Sequence, residues 1–152
     1  MHILIIDDHD FVCAGLKATL MERFVDAQIS IANDGSNALD ILSGGSINLV
    51  ISDLFMPGSS GGFSFIDLIC KNHPKVPLIV LSASENPSHI RKYVAIGAMG
   101  FVTKSAPKRS LFSAIDKALS GEIYMPESLI RPMPGLTRIM SEIDQGSEAI
   151  SG

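Results

Sequence analysis

Four short apolar runs, each followed at once by a polar residue, constrain the fold of this chain more than any other feature. The runs are residues 3–6, 48–52, 78–81 and 100–103, and the residues that follow them are Asp7 and Asp8, Asp53, Ser82 and Lys104. Short apolar runs that alternate with helix-like segments are typical of buried parallel strands. Ligands bind at the carboxyl ends of the strands in an open α/β sheet. We therefore expect the side chains that follow the four runs to face one crevice.

The three aspartates of this set indicate a metal site. Carboxylates that converge on one crevice repel one another unless a cation joins them. Mg²⁺ is a hard ion with a preference for oxygen ligands, and it suits Asp7, Asp8 and Asp53. Asp53 is the candidate nucleophile, because a carboxylate can attack phosphorus directly once the incoming negative charge is offset. Lys104 carries a point charge on a flexible stem, which suits pairing with Asp53 before transfer and with the phosphoryl group afterwards.

A fifth strand-like segment at 27–32 and five helix-like segments complete the order of elements. Helix four shows clear ends, since Asn86 before Pro87 is a typical helix start and Gly97 a typical helix end. Strands that alternate with helices in this way predict an α/β protein with a doubly wound, five-stranded parallel sheet and helices on both faces. The alternation alone does not fix the order of the strands.

The same residues resemble the receiver domain of two-component response regulators. The features that carry the resemblance are Asp7-Asp8, Asp53 with Met56-Pro57 after it, Ser82 and Lys104, within residues 2–121. Residues 97–104 and 118–124 further resemble the NarL/LuxR-type subfamily, whose members are mostly transcription factors. The resemblance implies a flavodoxin-like strand order, 2-1-3-4-5.

The resemblance also assigns roles within the site. It implies that a sensor histidine kinase supplies a phosphoryl group to Asp53, so that the chain is a signalling phosphoacceptor. The chain is then expected to catalyse only its own phosphorylation and dephosphorylation and not to act as an enzyme on other molecules. It adds the backbone carbonyl of Phe55 to Asp8 and Asp53 as metal ligands and places Asp7 in the outer shell.

Two further residues form the switch that the resemblance implies. The hydroxyl of Ser82 is expected to move toward a phosphoryl oxygen and to vacate space that Phe101 can fill. This movement would change the surface of helix four, strand five and helix five, and would favour a homodimer of the phosphorylated chain.

Histidine and cysteine are not expected to contribute to the metal site. His9 borders the acid pair, but hard Mg²⁺ prefers oxygen and the other three histidines form no cluster, so we expect His9 to face solvent. Cys13 and Cys70 lie in apolar helical patterns without metal-binding spacing, which indicates buried free thiols.

Charge and hydropathy limit the partners of the chain. The net charge is −4, which argues against a dedicated nucleic-acid surface. The first residues lack the basic segment of a signal peptide, and no apolar run approaches the length that spans a membrane. We therefore expect a cytoplasmic protein with no membrane partner.

The chain divides into two parts at the end of the resemblance. Residues 1–121 are expected to form the receiver domain, and 122–152 a linker and tail. The apolar spacing at 136–143 predicts a short amphipathic helix, which alone is marginal in water. The tail is too short for the helix-turn-helix domain that ends NarL/LuxR-type regulators, so DNA contact is expected only through a domain not present here.

The same residues disfavour two other phosphate-related functions and leave one alternative open. A haloacid-dehalogenase-type phosphatase needs Asp-x-Asp after its first strand, whereas Asp7 and Asp8 are adjacent. A flavodoxin cradles a phosphate in its first loop, which the acids of this chain would repel. A stand-alone receiver, or a receiver-like interaction module that needs no phosphate, stays open as an alternative.

Overall fold

Strand and helix alternate strictly along the residues that the structure describes. The structure is a computed structural model that describes residues 1–54, 62–83 and 86–126. The elements are β1 (His2–Ile6), α1 (Asp10–Arg23), β2 (Gln28–Ala32), α2 (Gly35–Ser43), β3 (Leu49–Asp53), α3 (Gly62–Asn72), β4 (Leu78–Ser82), α4 (Pro87–Ala95), β5 (Gly100–Thr103) and α5 (Lys108–Leu119). Phe55 and the tail helix predicted at 136–143 lie outside the described residues.

The five strands form one parallel sheet in the order β2-β1-β3-β4-β5. This confirms the predicted fold class and the strand order that the resemblance implied. The order reverses between β1 and β3, so the connections that leave these two strands run to opposite sides of the sheet. Ligands bind in the crevice at such a switch point, outside the carboxyl ends of the strands.

Two apolar cores lie on the two faces of the sheet. One core packs against α2, α3 and α4, and the other packs against α1 and α5. Alternate residues of β1 supply both, since Leu4 and Ile6 face the first core and Ile3 and Ile5 the second. A strand that is buried on both faces needs apolar residues at every position. This explains why the strands read as continuous apolar runs.

The ends of α4 follow the predicted pattern. The Asn86 side chain accepts a hydrogen bond from a backbone N–H of the first turn of α4, and Pro87 is the first helical residue. Gly97 follows the helix with a φ of 118°, a conformation that glycine adopts without steric cost. Pro107 is the N-cap of α5, so this helix begins at Lys108.

Tyr124 forms a bridge with the outer edge of β5. Its backbone N–H donates to the Met99 carbonyl at 2.9 Å, and its carbonyl accepts from the Phe101 N–H at 3.2 Å. The first residues after 121, which the sequence places in the linker, therefore extend the sheet by one short parallel bridge. Within the described ranges, no helix combines the length and the apolar character needed to cross a bilayer.

Gly62 occupies a position at the start of α3 where a larger residue is not tolerated. A Cβ atom on Gly62 would overlap the Leu54 carbonyl oxygen, whereas a Cβ atom on Gly15 of α1 would meet open space. We expect Gly62→Ala to lower the free energy of unfolding by about 1–3 kcal/mol. The matched control Gly15→Ala is expected to raise it by about 0.5–1 kcal/mol. Urea denaturation measures both, and equal shifts in the two variants would contradict this account of Gly62.

Candidate functional site

The ends of β1, β3 and β5 bring two buried acids and one lysine together. Asp7 follows β1 directly, Asp53 ends β3, and Lys104 follows β5. The Lys104 Nζ lies 3.2 Å from Asp53 Oδ1 and 3.4 Å from Asp7 Oδ2. Asp7 and Asp53 are only 1% and 7% exposed. Three of the residues that the sequence predicts at the strand ends thus meet in one crevice.

The Asp53 carboxylate is held in a fixed orientation. Its Oδ1 accepts a hydrogen bond from the Leu54 backbone N–H at 2.8 Å, in addition to the Lys104 ammonium. Removing two carboxylates from water is costly unless opposite charge and hydrogen bonds compensate. The two donors on Oδ1 therefore offset part of the cost of burying this carboxylate.

Lys104 keeps its charge in spite of partial burial. Burial is the largest single influence on the pKa of Lys104 and lowers it, but the hydrogen bond and charge of Asp53, together with Asp7, raise it above the ordinary 10.5. The ammonium is therefore present at neutral pH and offsets part of the negative charge of the acids.

Asp7 is fixed by contacts that the sequence did not reveal. Its Oδ1 accepts from the His9 backbone N–H at 2.9 Å, and its backbone carbonyl accepts from Asn33 Nδ2 at 3.1 Å and from Cys13 Sγ at 3.4 Å. Asn33 directly follows β2, the strand beside β1. Its position at a strand end was a signal that could have placed it near the site.

His9 faces solvent, as expected, and its ring also contacts both neighbouring acids. The ring is 61% exposed, and its Nδ1 lies 2.8 Å from Asp7 Oδ1 and 3.0 Å from Asp8 Oδ1. The hydrogen bond with Asp7, followed by the charge of Asp8, raises the pKa of His9 above 6.5. The stability that these contacts contribute is fully present below the ordinary pKa and is lost as the pH rises through the raised value.

The donor set fits a hard divalent cation. Asp7, Asp8, His9 and Asp53 each offer one ligand atom, and all four atoms lie within 4.8 Å of one another. Three of the four donors are carboxylates, and Lys104 is the only permanent cation paired with them among the described residues. Oxygen donors with excess negative charge are what Mg²⁺ requires.

Ser82 lies beside the crevice at the end of β4, whereas Phe101 lies within β5. Ser82 ends β4 and is buried, and its backbone carbonyl accepts from the Lys104 N–H at 2.7 Å. Phe101 is fully buried, with its ring centroid 6.3 Å from that of Tyr93 on α4. The ring therefore already lies inside the core, and the movement that the resemblance implies for it stays a prediction.

Comparison with known proteins gives the family of the chain. The response regulator receiver domain family matches residues 3–116, which is most of the chain. The chain therefore belongs to the response regulator receiver domain family. Members of this family act in two-component signalling and are not enzymes in the ordinary sense.

Individual relatives agree with this assignment. The chain is 30% identical over 131 residues to the glycerol metabolism activator of Pseudomonas putida, a match that covers 85% of this chain and 58% of the relative. It resembles the isolated REC domain of RcsB from Salmonella enterica serovar Typhimurium, solved in the presence of the phosphomimetic BeF3⁻, with a TM-score of 0.74, 26% identity, and coverage of 86% and 96%.

A third relative supports the subfamily. The LuxR family DNA-binding response regulator from Silicibacter pomeroyi matches with a TM-score of 0.71 and 27% identity, over 85% of this chain and 98% of that chain. This confirms the resemblance to the NarL/LuxR type. The chain spans less than two thirds of the curated relative from Pseudomonas putida, whose covered share is 58%.

Proposed function

We propose that this chain is a phosphorylation-controlled switch that accepts one phosphoryl group on Asp53 from a sensor histidine kinase. The observation that carries the proposal is the placement of Asp53, a nearly buried carboxylate held by Lys104 and by the Leu54 N–H beside Asp7. A cytoplasmic location belongs to the same proposal. The direct test is transfer of one phosphoryl group from a small donor, such as acetyl phosphate, to the wild-type chain.

The proposed reaction is a direct displacement at phosphorus. Leu54 and Lys104 both engage Oδ1 of Asp53, so we assign the attack to Oδ2. The new O–P bond makes an acyl phosphate, and the leaving nitrogen of the donor phosphohistidine takes the electrons of the broken P–N bond. Lys104 then lies close to the negative charge that the phosphoryl group brings.

The residues at the crevice would also hold the metal ion. Asp8, Asp53 and the backbone carbonyl of Phe55 are the proposed ligands of Mg²⁺, with Asp7 in the outer shell. The bound ion supplies positive charge for the phosphoryl oxygens. Ser82 ends the strand next to β3, and its hydroxyl is the proposed hydrogen-bond donor to one of these oxygens.

The proposed output surface consists of α4, β5 and α5. Part of its charge is already used within the chain, since Lys108 pairs with Glu22 at 2.9 Å and Asp116 pairs with Arg23 at 2.7 Å. Apart from Lys108, the exposed basic residues of this surface are Arg91, Lys92, Arg109 and Lys117. They leave a mixed-charge face that suits isologous pairing of two phosphorylated chains.

The dimer proposal predicts a change in sedimentation. Beryllofluoride, which mimics the phosphoryl group, is expected to favour the dimer by about 5- to 150-fold, the usual range of coupling between two sites. Arg109→Glu is expected to weaken the dimer, and Lys75→Glu, which changes the same charge at the opposite end of the sheet, is expected to leave it unchanged. Identical sedimentation with and without beryllofluoride would contradict a switch through this surface.

Control of transcription completes the proposal. One solved relative is described as a LuxR family DNA-binding response regulator. We therefore place DNA contact in a domain outside this sequence, under the control of the α4, β5 and α5 surface. A stand-alone receiver or a phosphate-independent interaction module is the alternative, and it predicts no change of oligomeric state with beryllofluoride.

A further inference from the structure

We propose that His9 is a positioning residue that competes with the divalent cation for the acid pair. Its imidazole holds Asp7 and Asp8 together through Nδ1, and it must release at least Asp8 before that carboxylate can bind a metal ion. The inference rests on the proposed function, because it concerns the Mg²⁺ site of the phosphorylation reaction. It adds a residue that sets the affinity of that site.

The geometry distinguishes a competitor from a ligand. One nitrogen, Nδ1, lies within hydrogen-bonding distance of two carboxylate oxygens, at 2.8 Å from Asp7 and 3.0 Å from Asp8. Carboxylate oxygens accept hydrogen bonds, so Nδ1 carries the proton that it donates to Asp7, and Asp8 lies in close contact with the same N–H group. A nitrogen that carries a proton has no lone pair to offer a metal ion. In this conformation the ring therefore contacts the carboxylate oxygens that would bind the metal ion, and it is not itself a ligand.

The ring can leave without disturbing the elements around it. His9 is the N-cap of α1, yet its side chain makes no capping hydrogen bond, and the ring is 61% exposed. Asp7 does not depend on the ring alone, because its Oδ1 also accepts from the His9 backbone N–H at 2.9 Å. Loss of the side chain thus removes the two ring contacts and leaves both the helix start and the backbone contact in place.

As a consequence, His9 orders the acid pair when the cation is absent and lowers the affinity of the site for the cation. Asp8 is more exposed than Asp7, with 31% of its side chain accessible, and the His9 ring contacts it at 3.0 Å. A close contact between a polar N–H group and a carboxylate stabilises the state that contains it. The state without the cation contains the contact between His9 and Asp8, and binding through Asp8 gives it up. His9 therefore weakens metal binding and keeps the acid pair ordered in its absence.

The test is calorimetric titration of Mg²⁺ into the full chain and its variants at one fixed pH. His9→Ala is expected to bind Mg²⁺ about three- to tenfold more tightly, since the variant has no contact between the ring and Asp8 to give up on binding. His9→Asn is expected to lie close to wild type, because its amide nitrogen can replace Nδ1 as the donor. The matched control is His89→Ala, an exposed histidine on α4, which is expected to leave the affinity unchanged.

The outcomes separate the inference from the function on which it rests. Weaker binding in His9→Ala, most of all for Mn²⁺, which accepts nitrogen more readily than Mg²⁺, would show that His9 is a ligand and overturn the inference. An unchanged affinity would show that the ring is a bystander and also overturn it. If the wild-type chain takes up no Mg²⁺, the proposed function itself fails. A purely structural role for His9 predicts looser binding upon its removal, so tighter binding in His9→Ala supports competition alone.

Discussion

Replacing Asp53 by asparagine is expected to abolish phosphoryl transfer to this chain and to leave the fold in place. The amide of asparagine has nearly the shape of the carboxylate, so the packing around β3 is kept. It is a poor nucleophile, however, and cannot form an acyl phosphate. Intact mass measured after incubation with acetyl phosphate and Mg²⁺ checks this, because the wild-type chain is expected to gain one phosphoryl group that alkali removes.

The control for this experiment is another acid of the same type. Asp40→Asn changes an exposed aspartate on α2, far from the strand ends, and is expected to accept the phosphoryl group as the wild type does. Two results would count against Asp53 as the acceptor. One is a phosphoryl group that persists on Asp53→Asn, and the other is a group on the wild type that survives alkali as phosphoserine does.

The meeting of Asp7, Asp53 and Lys104 could be predicted because it follows from topology alone. Parallel strands joined by helices all end on the same side of the sheet, so a residue that follows any strand is delivered to one edge. Burial on both faces made the strands visible as unbroken apolar runs. The order of the strands required the family resemblance, because local patterns do not say which strand lies beside which.

The contacts of His9 could not be predicted in the same way. They depend on the extended backbone of the N-cap, with φ −101° and ψ 110°, which turns the ring back over the preceding acids. No periodic pattern records a single turn of this kind. The preference of Mg²⁺ for oxygen led to the expectation that His9 faces solvent. His9 does face solvent, but the expectation did not include the hydrogen bond of its ring with Asp7.

The ion pairs between exposed charged residues could not be predicted from the sequence either. Arg23 reaches Asp116, 93 positions away, and also lies 5.5 Å from the centre of the Phe112 ring. Lys108 is bound to Glu22 on α1. Long charged side chains have many possible partners, and only packing of α1 against α5 selects these. The pairs reduce the charge that the proposed output surface can offer to a second chain.

Mg²⁺ is expected to stabilise the folded chain against heat, because the site that binds it exists only in the fold. Asp7, Asp8 and Asp53 carry more negative charge than Lys104 offsets, and the unfolded chain does not hold them together. At a concentration about a hundredfold above Kd, binding adds about 2.7 kcal/mol to the free energy of unfolding. For a domain of this size the melting temperature is expected to rise by roughly 5–10 °C. Thermal unfolding followed by circular dichroism measures the shift.

Variants and salt controls decide whether this stabilisation comes from the site. Asp53→Asn is expected to reduce the shift, since it removes one proposed ligand, and Asp40→Asn is expected to keep all of it. NaCl at matched ionic strength screens exposed charges but binds no specific site, so it is expected to give a much smaller change. A melting temperature that excess Mg²⁺ leaves unchanged would mean that the three acids are stable without a metal ion. The charge of Lys104 and the ring contacts of His9 would then be sufficient to hold the acids together, and the proposed phosphorylation would lack its cofactor.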